Sequence, residues 1–319
     1  MTAPGVAAAG PVVAVTGANG FIGKAFCARA LARGRTLRRF VHEARAADDA
    51  IAFDLLTAGV EELAQRLAGV STLVHLAGRA HVMDDAGRDA EAKYRDANER
   101  VTQRLAQAAV AAGVRRFVFA STVKVNGEAS PRGQPFRPDD APAPEDAYAR
   151  SKLAAECALT EAAHGSSMSI VILRLPLVYG PGARGNYRRL VDAVRERRVL
   201  PFGAIDNRRS LVGLANLLDA FDAALDAPPQ FGGTHFVADA DSVSTPDLVR
   251  AIARALGVVP RIIAVPLPLL RIAGALTGRS DAIARATRSL EVDATSFAAS
   301  TGWRPRPFAI DAAAMVSEV

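Results

Sequence analysis

Short apolar runs alternate with longer stretches of helical period along the first half of the chain. Val12 to Thr16 is apolar and runs into Gly17, and the stretch 20–33 carries apolar residues at helical spacing, so the chain opens as strand, glycine-rich turn and helix. The alternation then repeats. Stretches 37–41, 72–76, 117–120 and 169–175 predict strands, and 60–67, 91–112 and 148–163 predict the helices between them. Strands that are apolar at nearly every position and separated by helices are covered on both faces. This predicts an α/β fold built on a doubly wound parallel sheet, with ligand sites at the carboxyl ends of its strands. After Leu175 the pattern loosens into Pro/Gly turns (Tyr179-Gly180-Pro181-Gly182) and shorter helices, one expected at 245–256 with Ser244 or Thr245 as its cap. The expected organisation is a dinucleotide-binding domain over 1–176 and a smaller substrate-binding lobe over 177–319.

Composition narrows the class. With 50% hydrophobic and 23% charged residues in 319, the chain is globular in type, and two cysteines rule out a disulfide scaffold. Cys27 and Cys157 both lie in Ala-rich helical stretches and are expected as buried, reduced thiols of a cytoplasmic protein. The five His show no ligand spacing, so no metal is expected. Lys+Arg 39 against Asp+Glu 33 gives a net charge of +6, carried by 35 Arg and only 4 Lys. Each half holds +3 and neither has a basic arm, so nucleic acid is not an expected partner. One concentration stands out: between Arg184 and Arg209, eight Arg face Asp192, Glu196 and Asp206. It is either a solvated basic face or a collector of an anionic ligand. The first eleven residues lack the cationic start and apolar core of a signal peptide and are expected as a loose tail. The apolar stretch 262–276 is cut by Pro266, Pro268 and Arg271 and is too short to span a bilayer, so no membrane insertion is expected.

Three places carry candidate chemistry. Thr16-Gly17-Ala18-Asn19-Gly20-Phe21-Ile22-Gly23 lies between the first strand and helix. There Gly17, Gly20 and Gly23 allow a tight turn, a close approach to a pyrophosphate and packing of helix on sheet, while the helix N-terminus favours phosphate charge. The second strand ends Arg39-Phe40-Val41-His42-Glu43, with no carboxylate at the position that usually selects NAD, so NAD and NADP both remain open. Asp54 is either an acceptor for an adenine amino group or a loop carboxylate. In Tyr148-Ala149-Arg150-Ser151-Lys152, the phenol and the ammonium project from one helical face. A phenol of pKa about 10 becomes a useful acid–base group at neutral pH when an ammonium and an oxidised nicotinamide favour its phenolate. The loop Ser121-Thr122-Val123-Lys124-Val125-Asn126-Gly127-Glu128 follows a central strand and puts hydroxyls where a carbonyl or alkoxide oxygen would be bound.

Together these segments resemble the extended short-chain dehydrogenase/reductase family, in its nucleotide-sugar epimerase, dehydratase and reductase branch. TGANGFIG is similar to the family's TGxxGFIG, His75-Leu76-Ala77-Gly78 to its HxAG/A, Asn98 to the Asn of its central helix, and Tyr148 with Lys152 to its catalytic pair. Registering Val125-Asn126-Gly127 on the family's V-Y-G places Thr122, and not Ser121, at the catalytic hydroxyl position. The resemblance implies a Rossmann-type dinucleotide domain and NAD or NADP bound by Gly17, Gly20, Phe21, Ile22, Gly23, His42, Asp54, Leu55, Ala77, Lys152 and Leu175. It further implies a UDP-sugar met by His81, Lys124, Asn186 and Arg209, and a homodimer through the helices near 93–112 and 148–163.

Departures from the family pattern narrow the chemistry. The dehydratases follow their Thr with Asp-Glu, whereas this chain has Val123-Lys124, which argues against dehydration. The hexose 4-epimerases carry an Asn where Leu177 stands here. The segments 122–128, 185–187 and 207–212 most resemble bacterial enzymes that reduce UDP-4-keto-6-deoxy-N-acetylhexosamines for surface polysaccharides. The expected activity is therefore hydride transfer at C4 of a UDP-sugar, with Tyr148 as acid, Thr122 hydrogen-bonding the oxygen and Lys152 orienting ribose. The alternatives are a UDP-glucose 4-epimerase with retained NAD and a non-catalytic dinucleotide sensor.

Overall fold

The computed structural model describes residues 11–43, 50–80 and 88–311. The expected loose tail and His81 lie outside these residues. In chain order the elements are β1 (Val12–Thr16), α1 (Phe21–Ala32), β2 (Thr36–Val41), β3 (Ile51–Ala52), α2 (Val60–Leu67), β4 (Val70–His75), α3 (Arg88–Tyr94), α4 (Val101–Ala111) and β5 (Arg116–Thr122). There follow α5 (Ala147–Ala163), β6 (Ser169–Leu175), β7 (Leu177–Tyr179), α6 (Asn186–Arg195), β8 (Val199–Leu200), β9 (Leu211–Gly213) and α7 (Leu214–Asp226). The last are β10 (Gly233–Phe236), α8 (Thr245–Ala255), β11 (Arg261–Ile262), α9 (Leu267–Leu276), α10 (Ser280–Thr287) and α11 (Thr295–Thr301).

A seven-stranded sheet in the order β10-β6-β5-β4-β1-β2-β3 forms the centre, flanked by helices, and its pairings from β3 through β5 are parallel. The expected parallel, doubly wound sheet is thus present. Its strands are buried for the reason their sequences give: Ala14, Val15, Leu73, Val74, Phe117, Val118 and Phe119 have almost no exposed surface. β10 was not expected as a strand, because Gly233-Thr234-His235-Phe236 is short and has no sustained apolar run. The helix expected over 91–112 is present but interrupted: a π-helical turn over Arg95–Arg100 separates α3 from α4. The wider turn places the buried Asn98 on the inner face, a displacement that sequence periodicity does not register. Ser244 caps α8 as expected, accepting from the Asp247 N–H at 3.1 Å, with Pro246 in the first turn.

The described chain forms two compact units, each assembled from separated stretches. One runs to Ala120 and takes in Ser151–Ile172 and Ala224–Gly233; the other comprises Ser121–Arg150, Leu173–Ala223 and the chain from Thr234. The first unit has a core in which Phe40, Leu63, Leu67, Leu73, Leu105, Phe117, Phe119 and Leu159 pack together. The second has a smaller cluster of Val123, Phe236 and Leu290, against which Phe136 and Val292 lie. Cys27 is buried as expected, and burial pushes its thiol up to about 11. Cys157, expected to be buried, is exposed. On α5 the inward stripe is Ala155, Leu159 and Ala163, and Cys157 lies two residues, about 200°, around from Ala155. No helix among the described residues is long and apolar enough to cross a membrane.

Arg116 shows how the first unit holds its last segment. Its side chain, only 7% exposed, donates to the carbonyls of Ala224 at 2.9 Å, Leu225 at 3.2 Å and Ala227 at 2.9 Å, and also to that of Pro228. These are the orphan carbonyls at the end of α7, and one guanidinium satisfies them together. Arg116→Met keeps the apolar stem and leaves those carbonyls unpaired, at an expected cost of about 3 kcal/mol. Urea denaturation followed by circular dichroism measures it, and an unchanged midpoint contradicts the assignment.

Candidate active site

In the first unit the glycine-rich loop is constrained on all sides. Gly17 has φ +69°, and a Cβ there would sit 2.6 Å from the Ala77 nitrogen; a Cβ on Gly23 would sit 2.1 Å from the Gly17 carbonyl oxygen. Both positions therefore need glycine, Gly17 for its conformation and contact, Gly23 for contact alone. Gly20 differs: a Cβ there would meet only the Gly17 oxygen, at 3.1 Å. Gly20 is the N-cap of α1 and contributes no side-chain cap, so the first N–H groups, of Phe21, Ile22 and Gly23, face outward without an intrahelical acceptor. A twelve-residue helix ending in uncapped N–H groups beside an open glycine fits a dinucleotide pyrophosphate.

Around this loop the other expected cofactor residues fall at the carboxyl ends of β2, β3 and β4. His42 is exposed, with Nδ1 4.0 Å from Asp54. Asp54 accepts from the Leu56 N–H at 2.9 Å and the Thr57 hydroxyl at 2.9 Å, and these bonds hold its carboxyl below the usual carboxylate range. It therefore caps its own turn. Arg104 on α4 fixes that turn by donating to the carbonyls of Leu55 and Leu56, each at 2.9 Å.

A buried chain of hydrogen bonds runs inward from Ala77. Its N–H reaches the Thr16 hydroxyl at 3.4 Å, Thr16 lies 2.6 Å from His75 Nδ1, and His75 Nε2 lies 3.1 Å from the Thr102 hydroxyl. Thr102 itself donates to the Asn98 carbonyl at 2.6 Å. Because the Thr102 proton is committed there, its oxygen accepts from His75, which assigns a neutral imidazole protonated at Nε2. The ring stacks on Phe119 at 5.4 Å, and burial, with the Lys152 charge adding, pushes its pKa down to about 3. The Asn98 side chain accepts from the Arg79 N–H at 2.8 Å and donates to the Arg79 carbonyl at 3.1 Å and the Ser151 hydroxyl at 2.8 Å. Next to Ser151 on α5, Lys152 is 5% exposed, with Nζ 3.9 Å from the centre of the Phe119 ring. Burial lowers its pKa to about 7, against the Glu156 charge, which raises it.

In the second unit, Thr122 ends β5 and caps a 3-10 turn over Val123–Val125, its hydroxyl accepting from the Lys124 N–H at 3.3 Å. The Lys124 ammonium lies between two carboxylates, 2.6 Å from Glu128 and 2.9 Å from Asp146. Asp146 is in turn the cap of α5, accepting from the Ala149 N–H at 2.7 Å, and Tyr148 is the second residue of that helix. Leu175 is buried at the end of β6, and Asn186 is exposed at the start of α6.

Arg209 does not stand free. Its guanidinium donates to the carbonyls of Arg285 at 2.8 Å and Arg288 at 3.1 Å at the end of α10, and burial lowers its pKa. Arg285 and Arg288 line a cavity of about 210 Å³ together with Asp281, Ala284, Glu128, Glu145 and Asp146. The rest of the Arg concentration divides. Arg188 and Arg195 pair with Asp192, Arg198 with Glu196, and Arg208 with Glu291. That composition marked the whole stretch reflects abundance; the cavity instead takes its guanidiniums from the last turn of α10 and the residue after it.

Sequence reading missed Arg285, Arg288, Glu145 and Asp146. Asp146, an aspartate directly before a helix, was open to the N-cap rule. The arginines carried no signal in so Arg-rich a chain.

This chain belongs to the NAD dependent epimerase/dehydratase family, whose pattern matches residues 13–238. It is 37% identical over 296 residues to a Vibrio cholerae protein named UDP-glucose 4-epimerase, across 92% of this chain and 90% of that one. It is 33% identical over 323 residues to a dTDP-6-deoxy-L-talose 4-dehydrogenase (NAD(P)(+)) of Kitasatospora kifunensis, across 96% and 94% of the two chains. Among solved structures, MoeE5 in complex with UDP-glucose and NAD matches with a TM-score of 0.76 at 25% identity, over 97% of each chain.

The neutral, buried imidazole gives a pH dependence. His75 has a folded pKa near 3 against an ordinary value of 6.5, so below pH 6.5 the unfolded chain takes up a proton that the folded one refuses. The contribution of His75 to stability is flat above pH 6.5 and is lost by up to about 1.4 kcal/mol per pH unit as pH falls toward 3. Urea midpoints at pH 7.5 and 5.5 should show this loss, and His75→Asn should reduce it. Equal slopes in the two proteins contradict it.

Proposed function

We propose that this protein performs NAD(P)-dependent oxidoreduction at C4 of a UDP-sugar, as a reductase of a UDP-4-keto-6-deoxy-N-acetylhexosamine. The observation that carries the reading is the helix α5, which bears Tyr148 in its first turn and, one turn on, a Lys152 whose ammonium is buried on the Phe119 ring. When bound, NAD(P)H would supply the hydride that a C4 ketone gains, and NAD(P)+ would accept the hydride that a C4 alcohol gives up. The chain supplies the rest. Tyr148 gives its phenolic proton to O4 as negative charge develops there, and the Thr122 hydroxyl donates a hydrogen bond to the same oxygen. Lys152 places a cation that favours the phenolate and reaches ribose hydroxyls, for which a compact ammonium suits better than a planar guanidinium. Gly17, Gly20 and the first N–H groups of α1 hold the pyrophosphate, with Asp54, Leu55 and Ala77 at its adenosine side. Arg209 braces the α10 carbonyls and so aims Arg285 and Arg288, which with Asn186 take the UDP diphosphate. A homodimer through α4 and α5 is what the resemblance to the family implies.

A second reading, a UDP-glucose 4-epimerase, is favoured by the similarity to the Vibrio cholerae protein of that name. It uses the same residues in both directions on a retained cofactor. Purified protein offered UDP-4-keto-6-deoxy-N-acetylglucosamine with NADH and NADPH separately distinguishes them. The reductase consumes reduced cofactor at 340 nm and yields a 4-hydroxy product by NMR. No consumption, with UDP-glucose and UDP-galactose interconverting, establishes the epimerase. Under either reading Tyr148→Phe should lower kcat by about 10²- to 10⁴-fold while leaving NAD binding intact; undiminished turnover contradicts the acid role.

A further inference from the structure

The two residues assigned to O4 sit on different pieces of chain, the turn after β5 and the first turn of α5, and both lie within the stretch Ser121–Arg150 of one unit. One side chain joins the two pieces. Lys124, whose backbone N–H is bound by the Thr122 hydroxyl, reaches across to Asp146, the cap of the helix bearing Tyr148. Glu128 holds the same ammonium from four residues on, and both Lys124 and Glu128 are largely buried, at 16% and 18% exposed. A second, weaker tie runs in the same direction, the Ala143 N–H donating to the Val125 carbonyl at 2.9 Å.

We propose that Lys124, held between Glu128 and Asp146, is a positioning residue that sets the separation of Thr122 from Tyr148. The assignment rests on the reading of Thr122 and Tyr148 given above. The physical case is one of geometry and charge. An ammonium shared by two carboxylates in a partly buried site is fixed in direction, because swinging it toward either one leaves the other unpaired. The Asp146 carboxylate uses one oxygen on the helix N–H and the other on the ammonium, so moving Lys124 pulls on the helix cap. Lys124 thereby joins the hydroxyl's turn to the phenol's helix. Misplacing a reacting group by about 1 Å costs on the order of 10²-fold in rate without weakening binding.

The test uses the full chain and the variants Lys124→Met and Lys124→Arg, the second of which can still span two carboxylates. The expected result is a 10- to 100-fold loss of kcat in Lys124→Met with KM for the nucleotide sugar within about 2-fold, and recovery of most of the activity in Lys124→Arg. Amide hydrogen exchange measured on the same proteins should quicken in 123–125 and 147–150 for Lys124→Met and stay near wild type for Lys124→Arg. A kcat loss accompanied by a parallel rise in KM in both variants makes Lys124 a substrate contact and overturns the positioning role. Unchanged exchange in both segments overturns it whatever the activity. Wild-type protein inactive on UDP-4-keto-6-deoxy-N-acetylglucosamine and on UDP-glucose counts against the proposed function alone, because the exchange measurement still decides the role of Lys124.

Discussion

The buried imidazole of His75 is the constraint on which the first unit depends. It has no water to turn to, so both ring nitrogens need protein partners, and Thr16 at the end of β1 and Thr102 on α4 supply them. From there the hydrogen bonds continue to Ala77 on one side and through Asn98 to Ser151 on the other. Two strand ends, the loop after β4, the π-helical turn and the start of the inner part of α5 are therefore held by a single run of buried polar groups. Such a chain tolerates no partial satisfaction, since losing one member strands the rest in an apolar core. The result is that the loop beside Gly17 and the helix carrying Lys152 share one rigid reference.

In the second unit the comparable device is ionic. Lys124, Glu128 and Asp146 tie the end of β5 to the cap of α5, and Arg209 with Asn207 ties β9's approach to the end of α10. Both devices work by occupying helix termini, where backbone groups lack partners of their own. The side chains that look most available for chemistry in the sequence, a lysine after a catalytic-type threonine and an arginine in a basic run, are engaged on backbone and carboxylates.

The legibility of the sequence follows from the range of the interactions involved. Helix α2, strand β6 and the cap at Ser244 were readable because periodicity and capping are local, and so were Gly17 and Gly23, whose glycine requirement is imposed within a few residues or by the adjacent strand. The π-helical turn was not readable, because it is set by Asn98 finding Arg79 and Ser151 far along the chain. Cys157 was misjudged because apolar composition around a helix does not say which face turns inward. The cavity arginines were invisible for a different reason. Arg285 lies in α10, a helix with no buried residues, and Arg288 directly follows it; carbonyl contacts from Asn207, Arg209 and Thr245 hold its end.

The scarcity of lysine has a consequence for reagents. The chain has four ε-amines, and two of them, Lys24 and Lys93, are exposed. The other two are shielded in different ways: Lys124 lies between two carboxylates, and Lys152 is buried against the Phe119 ring. Acylating agents applied to this protein thus meet two exposed lysine side chains among the described residues, and slow modification located at Lys152 itself reports the opening of the helix that carries it.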